Sequence, residues 1–245
     1  MKFFKNILNE SRFEEDGIFF DKIQKIIKVK PSHLQIYQQA FTHASTQKKD
    51  QNGNSLNYER LEFLGDSILS AVISTYLFNN APEGDEGYLT KMRSKIVSRK
   101  HLNQLGEELA LTELMTSYLP VNKLGKNISG NLFEALIGAI YIDKGYKACE
   151  NFIYKKVISK YPDIEKLEKR IVSYKSLMIE WCQKNKFDFE YIIEDDLGKD
   201  VEKHFAVKLI INNEIIAKAR ATSKKSAEEK ASQRAYFVFQ KEIPV

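Results

Sequence analysis

The chain has 245 residues, enough for one large domain or for an ordinary domain followed by a small one. Hydrophobic residues at 43% and charged residues at 29% are those of a globular protein, which excludes a low-complexity or fibrous polypeptide. The formal net charge of +5 permits a polyanionic partner without demanding one, since many proteins with no nucleic-acid role are as basic.

The opening Met1-Lys2-Phe3-Phe4-Lys5 begins like a signal peptide, but Asn9, Glu10, Arg12, Glu14, Glu15 and Asp16 interrupt its apolar stretch. No apolar run approaches the roughly 20 residues that span a bilayer. The two cysteines, Cys149 and Cys182, lie far apart in no CxxC pair, which suits a reducing compartment and argues against structural zinc. The expectation is a cytoplasmic protein with no membrane segment.

From about residue 20 to 160 the apolar residues recur at helical spacing. Ile23, Ile26 and Ile27 form one short stripe, and Leu34, Tyr37 and Phe41 a second. A long helix is expected over 58–78, with Leu61, Leu64, Ile68, Val72 and Leu77 inward and Ala81-Pro82-Glu83-Gly84 ending it. Another is expected over 86–109, and another over 131–142, closed by Asp143-Lys144-Gly145. Pro162 and the charged run Glu165-Lys166-Leu167-Glu168-Lys169-Arg170 read as a linker or an exposed helix. After about Val172 the pattern changes. An amphipathic helix with Leu177 and Trp181 precedes alternating segments: Phe205, Val207, Leu209 and Ile211 share one strand face, and Asn212-Asn213 suits a tight turn before residues 214–221. A last helix starts at Ser223. The fold expected is mostly α: an all-helical domain over 15–160, a linker over 161–171, and an α-β-β-β-α domain over 172–241.

The sharpest feature is Asn57-Tyr58-Glu59-Arg60-Leu61-Glu62-Phe63-Leu64-Gly65-Asp66-Ser67. On a helix advancing about 100° per residue, Glu59 and Asp66 point in nearly the same direction and Glu62 about 60° away. Carboxylates so crowded repel and raise one another's pKa; a divalent cation removes that penalty, and oxygen ligands suit Mg²⁺. The bland alternative is a solvated acidic face. A second polar pair, Asn131 and Glu134, lies three residues apart in the apolar segment containing Leu136, Ile137 and Ile140. Polar pairs on two helices are what a metal site between helices requires.

The run from Tyr58 to Ser67 closely resembles the signature motif of the ribonuclease III family. Ala40-Phe41-Thr42-His43-Ala44-Ser45, Asp85-Glu86-Gly87 with Met92-Arg93, and Phe133-Glu134-Ala135-Leu136-Ile137-Gly138 are similar to its other blocks, in the same order. The resemblance implies a helical nuclease domain whose catalytic, metal-binding carboxylates are Glu62, Asp66 and Glu134, with further acidic positions at Glu59 and Glu86. It implies Mg²⁺-dependent hydrolysis of double-stranded RNA, with Mn²⁺ as an alternative metal, leaving 5′-phosphates and short 3′ overhangs on structured precursors such as ribosomal RNA. It also implies a homodimer in which Phe63 enters the partner subunit; taken alone, Phe63 reads as ordinary core. One ligand position departs: Asn131 stands where the family usually has Asp, and an amide offers a carbonyl oxygen without charge. Asp143, nine residues past Glu134, lies about half a turn round the helix and cannot substitute. The alternative that Asn131 leaves open is a non-catalytic double-stranded-RNA-binding protein with a degenerate site.

Ser223 is a good N-cap, but Lys224 and Lys225 stand where the helix dipole disfavours cations, which makes sense if they face phosphate. A solvated basic patch is the plain alternative. The helix–three strands–helix order with Lys224, Lys225 and Lys230 resembles a double-stranded-RNA-binding domain, which reads A-form shape. That resemblance puts Ser176, Gln183 and His204 among the RNA contacts. Ile179 stands where the family often has Gln, and Val201 where the loop between the first strands usually carries His. Gly125-Lys126-Asn127-Ile128-Ser129-Gly130 lacks the Lys-Ser/Thr of a phosphate-binding loop, so no nucleotide cofactor is expected. The scattered His43 reads as a packing or capping residue, and Trp181 as core.

Overall fold

The computed structural model describes residues 16–161, 167, 171, 173–196 and 204–243. The opening segment weighed as a signal peptide, Pro162 with the charged run apart from Leu167, and Val201 all lie outside the described residues. The chain divides into two compact units, Met1–Leu167 and Glu168–Val245.

The first unit is helical: α1 (16–27), α2 (Leu34–Ala40), α3 (Glu59–Asn80), α4 (Glu86–Ile96), α5 (Arg99–Glu108), α6 (Ile128–Lys144) and α7 (Tyr146–Lys156). Asn57 starts α3 by accepting the Glu59 N–H at 3.1 Å, which satisfies one of the donors orphaned at a helix start. Asp85 caps α4 by accepting the Tyr88 N–H at 2.8 Å. Gly145, at φ +76°, ends α6 in a conformation that side chains rarely adopt.

The single helix expected over 86–109 is two helices. Ser98 is extended, at φ −60° and ψ 139°, between α4 and α5. The buried residues explain the break: Ile96 ends the stripe of α4, and the next buried positions, His101 and Leu102, fall out of phase with a continuous turn. α6 is also longer than expected, so Asn131 and Glu134 sit one and two turns inside it rather than at its start.

The centre of this unit is the crossing of α3 and α6. A β-carbon on Gly65 would lie 1.8 Å from the Glu134 carbonyl oxygen, and one on Gly138 would lie 2.2 Å from that of Leu61. Each helix therefore sets a glycine against the other's backbone, and no other residue type allows that approach. Leu61, Ile68, Leu69, Val72 and Ile73 of α3 then close on Phe133, Leu136, Ile137 and Ile140 of α6, all buried. Burial of each large side chain contributes about 1.5–3 kcal/mol. Among the described residues α3 alone is long and apolar enough to cross a membrane, against the expectation from apolar runs. Its packing on α6 accounts for that apolarity as core.

The second unit runs α8 (Tyr174–Asn185), β1 (Phe189–Asp196), β2 (His204–Ile211), β3 (Glu214–Ala221) and α9 (Lys224–Phe239). The strands form an antiparallel sheet in the order β1-β2-β3. Asn212 and Asn213 both adopt positive φ, 49° and 66°, the twist that a two-residue hairpin turn requires. Val207, Leu209 and Ile211 of β2 and Ala217, Ala219 and Ala221 of β3 are buried with Ala227, Ala231 and Ala235 of α9. The small alanines let α9 lie close on the sheet. Trp181 is core, meeting Phe187 edge-on at 5.2 Å and Phe239 at a tilt at 4.7 Å between ring centroids.

Candidate active site and nucleic-acid interface

Because the glycine crossing falls beside Glu62, Asp66 and Glu134, it draws the polar faces of α3 and α6 to one place. A cleft of about 450 Å³ opens there. Glu59, Glu62 and Asp66 line it from α3, Asn131 and Glu134 from α6, and Arg99 and Asn103 from α5. Asn127, immediately before α6, completes the polar lining. The structure thus brings together five residues singled out on two helices 65 positions apart between Asp66 and Asn131. Arg99 and Asn103 carried no sequence signal beyond being polar, and Asn127 was singled out only within the loop rejected as a nucleotide site.

The electrostatics are strained by design of the crossing. Burial, with the charges of Asp66 and Glu62 added to it, pushes the Glu134 carboxyl up to about 7, and Arg99 opposes the shift. Glu62 is raised too, by burial and then by Glu59, with Arg99 again opposing. Oxygen acceptors on two facing helices, with repulsion that Arg99 only partly offsets, fit a hard divalent cation. Among the described residues no three such groups already converge on one point. Asn131 faces the hydroxyl of the buried Tyr58, whose ionisation it favours while burial opposes it.

Other residues fall elsewhere. Glu86 does not line the cleft; it opens α4, accepts from the Thr90 hydroxyl at 3.1 Å and borders a separate depression with Phe78 and Arg93. Phe63 borders the cleft yet is 78% exposed, so the reading of it as core fails: its ring lies on the outward face of α3. Asp143 is held away from the cleft, accepting from the Ser32 and His33 backbone N–H groups and the Tyr37 hydroxyl, each at 3.0 Å. His43 is a cap: its Nδ1 accepts the Ser45 N–H at 3.1 Å.

In the second unit, Ser176 and Gln183 are exposed on α8, with Ile179 half-buried on the same side. Ser223 caps α9 by accepting the Ser226 N–H at 3.2 Å, and Lys224 and Lys225 are exposed in its first turn. Lys224 lies 5.8 Å over the ring of Phe205, next to His204 at the start of β2. The acids that follow in the sequence do not offset these lysines. Glu229 accepts from the Tyr174 backbone N–H at 2.7 Å and the Ser173 hydroxyl at 2.9 Å, and Glu228 pairs with Lys175 at 2.6 Å. Both are spent on the start of α8. Lys230 sits apart from the other two, in a depression with Lys218, Arg220 and Arg234 along β3.

The family model for ribonuclease-III-like proteins matches residues 34–161, and that for the double-stranded RNA binding motif matches residues 174–236. The chain is 58% identical to ribonuclease 3 of Zunongwangia profunda over 99% of its own length and 100% of the relative's. It is 57% identical to ribonuclease 3 of Flavobacterium psychrophilum, over 99% of each chain. Among solved structures it is similar to the nuclease domain of ribonuclease III from Campylobacter jejuni, at 26% identity and a TM-score of 0.50, covering 58% of this chain and 96% of that one. A second structure of that domain matches at a TM-score of 0.51 and is described for flexibility in a region involved in dimer formation.

Proposed function

Because this chain belongs to the ribonuclease III family and is a double-strand-specific endoribonuclease, we propose that it works with Mg²⁺ held between α3 and α6, as a homodimer, on structured precursors such as ribosomal RNA in the cytoplasm. The observation that carries the metal is the cleft itself: acceptor oxygens from two helices, with Glu134 pushed up to about 7 by burial and then by the charges of Asp66 and Glu62. Glu62, Asp66 and Glu134 would hold the ion, and Asn131 would offer its amide oxygen. Bound there, Mg²⁺ supplies a water of lowered pKa and stabilises charge on the phosphate, with Mn²⁺ able to serve in its place.

Among the described residues no hydroxyl, thiol or imidazole side chain lines the cleft, in keeping with water as the nucleophile. Its addition breaks the P–O3′ bond and leaves the phosphate on the 5′ end of the downstream product. Glu59 flanks the ligand positions and is fixed by the Asn57 amide, which donates to it at 3.1 Å. Ser176, Gln183, His204, Lys224 and Lys225 present the duplex-binding side of the second unit, with Lys230 at its margin. Phe63, exposed at the rim of the cleft, is the anchor offered to the second subunit.

The test uses labelled duplex RNA and its single strand, each with Mg²⁺ and with a chelator, for the parent, Glu134→Ala and Asn131→Asp proteins. Metal-dependent cleavage of the duplex alone, abolished by Glu134→Ala, is the expected result. Duplex binding without cleavage, with cleavage gained by Asn131→Asp, would make the chain a binding protein with a disabled site.

A further inference from the structure

Beside the carboxylates the cleft is lined by donors. Arg99, the first residue of α5, is exposed and lines the cleft within electrostatic reach of Glu62 and Glu134. Among the described residues it closes no salt bridge with either. A guanidinium beside acids but bonded to none keeps its planar fork of N–H groups available.

Asn127 adds a second donor, and its orientation follows from backbone groups that cannot be reversed. The Gly130 N–H donates to the Asn103 side-chain oxygen at 2.8 Å, which fixes that amide. The Asn103 nitrogen then donates to the Lys126 carbonyl and to the Asn127 side-chain oxygen, both at 3.2 Å. With its oxygen so engaged, Asn127 turns its NH₂ away from Asn103, as a lining residue of the cleft. The cleft is therefore lined by acceptors and, with them, by a guanidinium and an oriented amide donor. A metal accounts for the acceptors and leaves the donors without a partner of their own.

We propose that Arg99 and Asn127 grip the non-bridging oxygens of the scissile phosphate, with Asn103 as the positioning residue that aims Asn127. The inference rests on the nuclease reading above and deepens it: these donors supply the substrate-side contact that a carboxylate cleft lacks. A phosphodiester presents two anionic acceptor oxygens, which matches a forked guanidinium and one amide donor.

The experiment measures single-turnover cleavage of a duplex with a natural linkage and of one with an uncharged methylphosphonate at the scissile position. Arg99→Ala is expected to slow cleavage of the natural duplex about 10–100-fold, as for loss of a charge-assisted contact in a catalytic site. The half-saturating duplex concentration should rise only about two- to threefold, because the second unit still holds most of the RNA. Arg99→Lys should recover part of the rate, and Asn127→Ala should lose less than Arg99→Ala does. The parent should lose more than Arg99→Ala does when the phosphate charge is removed. Equal losses, or cleavage by Arg99→Ala at or above the parental rate, would overturn the proposal and leave Arg99 as a counter-charge for the carboxylates. A parallel binding assay in the Glu134→Ala background separates the two readings. A loss of duplex affinity on adding Arg99→Ala, absent with the methylphosphonate, supports the grip even if the parent proves inert, and unchanged affinity overturns it.

Discussion

Replacing Glu134 by Gln keeps the shape of the side chain and removes its charge, and the consequence should depend on pH in a defined way. In the folded chain the Glu134 carboxyl is raised from 4.5 to about 7, by burial first and by Asp66 and Glu62 after it. Between those two values the native chain holds a proton that the unfolded chain has released. Stability therefore falls as pH rises through the window and is fully lowered above about 7. The rise in pKa corresponds to about 3 kcal/mol of disfavoured charge, an upper figure because the side chain is only half-buried. Glu134→Gln should thus match the parent near pH 4.5 and exceed it at pH 8.5 by about 1–3 kcal/mol. In a unit of this size that is roughly 3–10 °C in Tm. Scanning calorimetry in a chelator at both pH values is the assay. Tryptophan fluorescence will not serve, since the single tryptophan, Trp181, belongs to the other unit. Added Mg²⁺ should raise the Tm of the parent at pH 8.5 and leave the variant nearly unmoved, because a ligand stabilises only the fold that binds it. A gain of the same size at both pH values, or none at pH 8.5, would show that Glu134 is not under the strain ascribed to it.

Gly65→Ala should unfold or loosen the first unit at a cost above about 3 kcal/mol, since its β-carbon would sit 1.8 Å from a backbone oxygen that cannot give way without parting α3 and α6. Calorimetry reads the loss, and cleavage should fall with it even though no ligand has changed. Phe63→Ala should leave the fold of the single chain within about 0.5 kcal/mol, as expected for an exposed side chain, while weakening self-association in sedimentation. Undiminished association would remove Phe63 from the interface. Lys224→Ala with Lys225→Ala should weaken duplex binding and lower the slope of log affinity against log salt by about 1.4–1.8, the release expected for two phosphate contacts. An unchanged slope would place those lysines away from the RNA.

The run from Tyr58 to Ser67 was legible because its meaning is local: helical spacing alone puts Glu59, Glu62 and Asp66 on one side and Leu61 and Ile68 on the other. The turn at Asn212-Asn213 and the cap at Ser223 were legible for the same reason, each being decided by one or two residues. The break at Ser98 was present in the sequence as a slip of apolar phase between Ile96 and Leu102, hidden by helix-forming residues on both sides. What depends on two segments meeting was not legible. Periodicity could not say that Gly65 and Gly138 each face the opposing backbone, although that contact places Glu134 beside Asp66. Nor could it say that Glu228 and Glu229 serve the start of α8 and so leave Lys224 and Lys225 uncompensated. Arg99 and Asn127 gave no donor signal because they line one cleft with the carboxylates only once α5 and the start of α6 pack beside α3. The sequence by itself determined which faces are polar and where α3 and α9 start and β2 turns into β3, through dihedral preference and period. Which polar faces share a cleft, and hence which charges strain one another, was decided only by tertiary packing, because Coulomb repulsion and desolvation depend on distances that no local pattern contains.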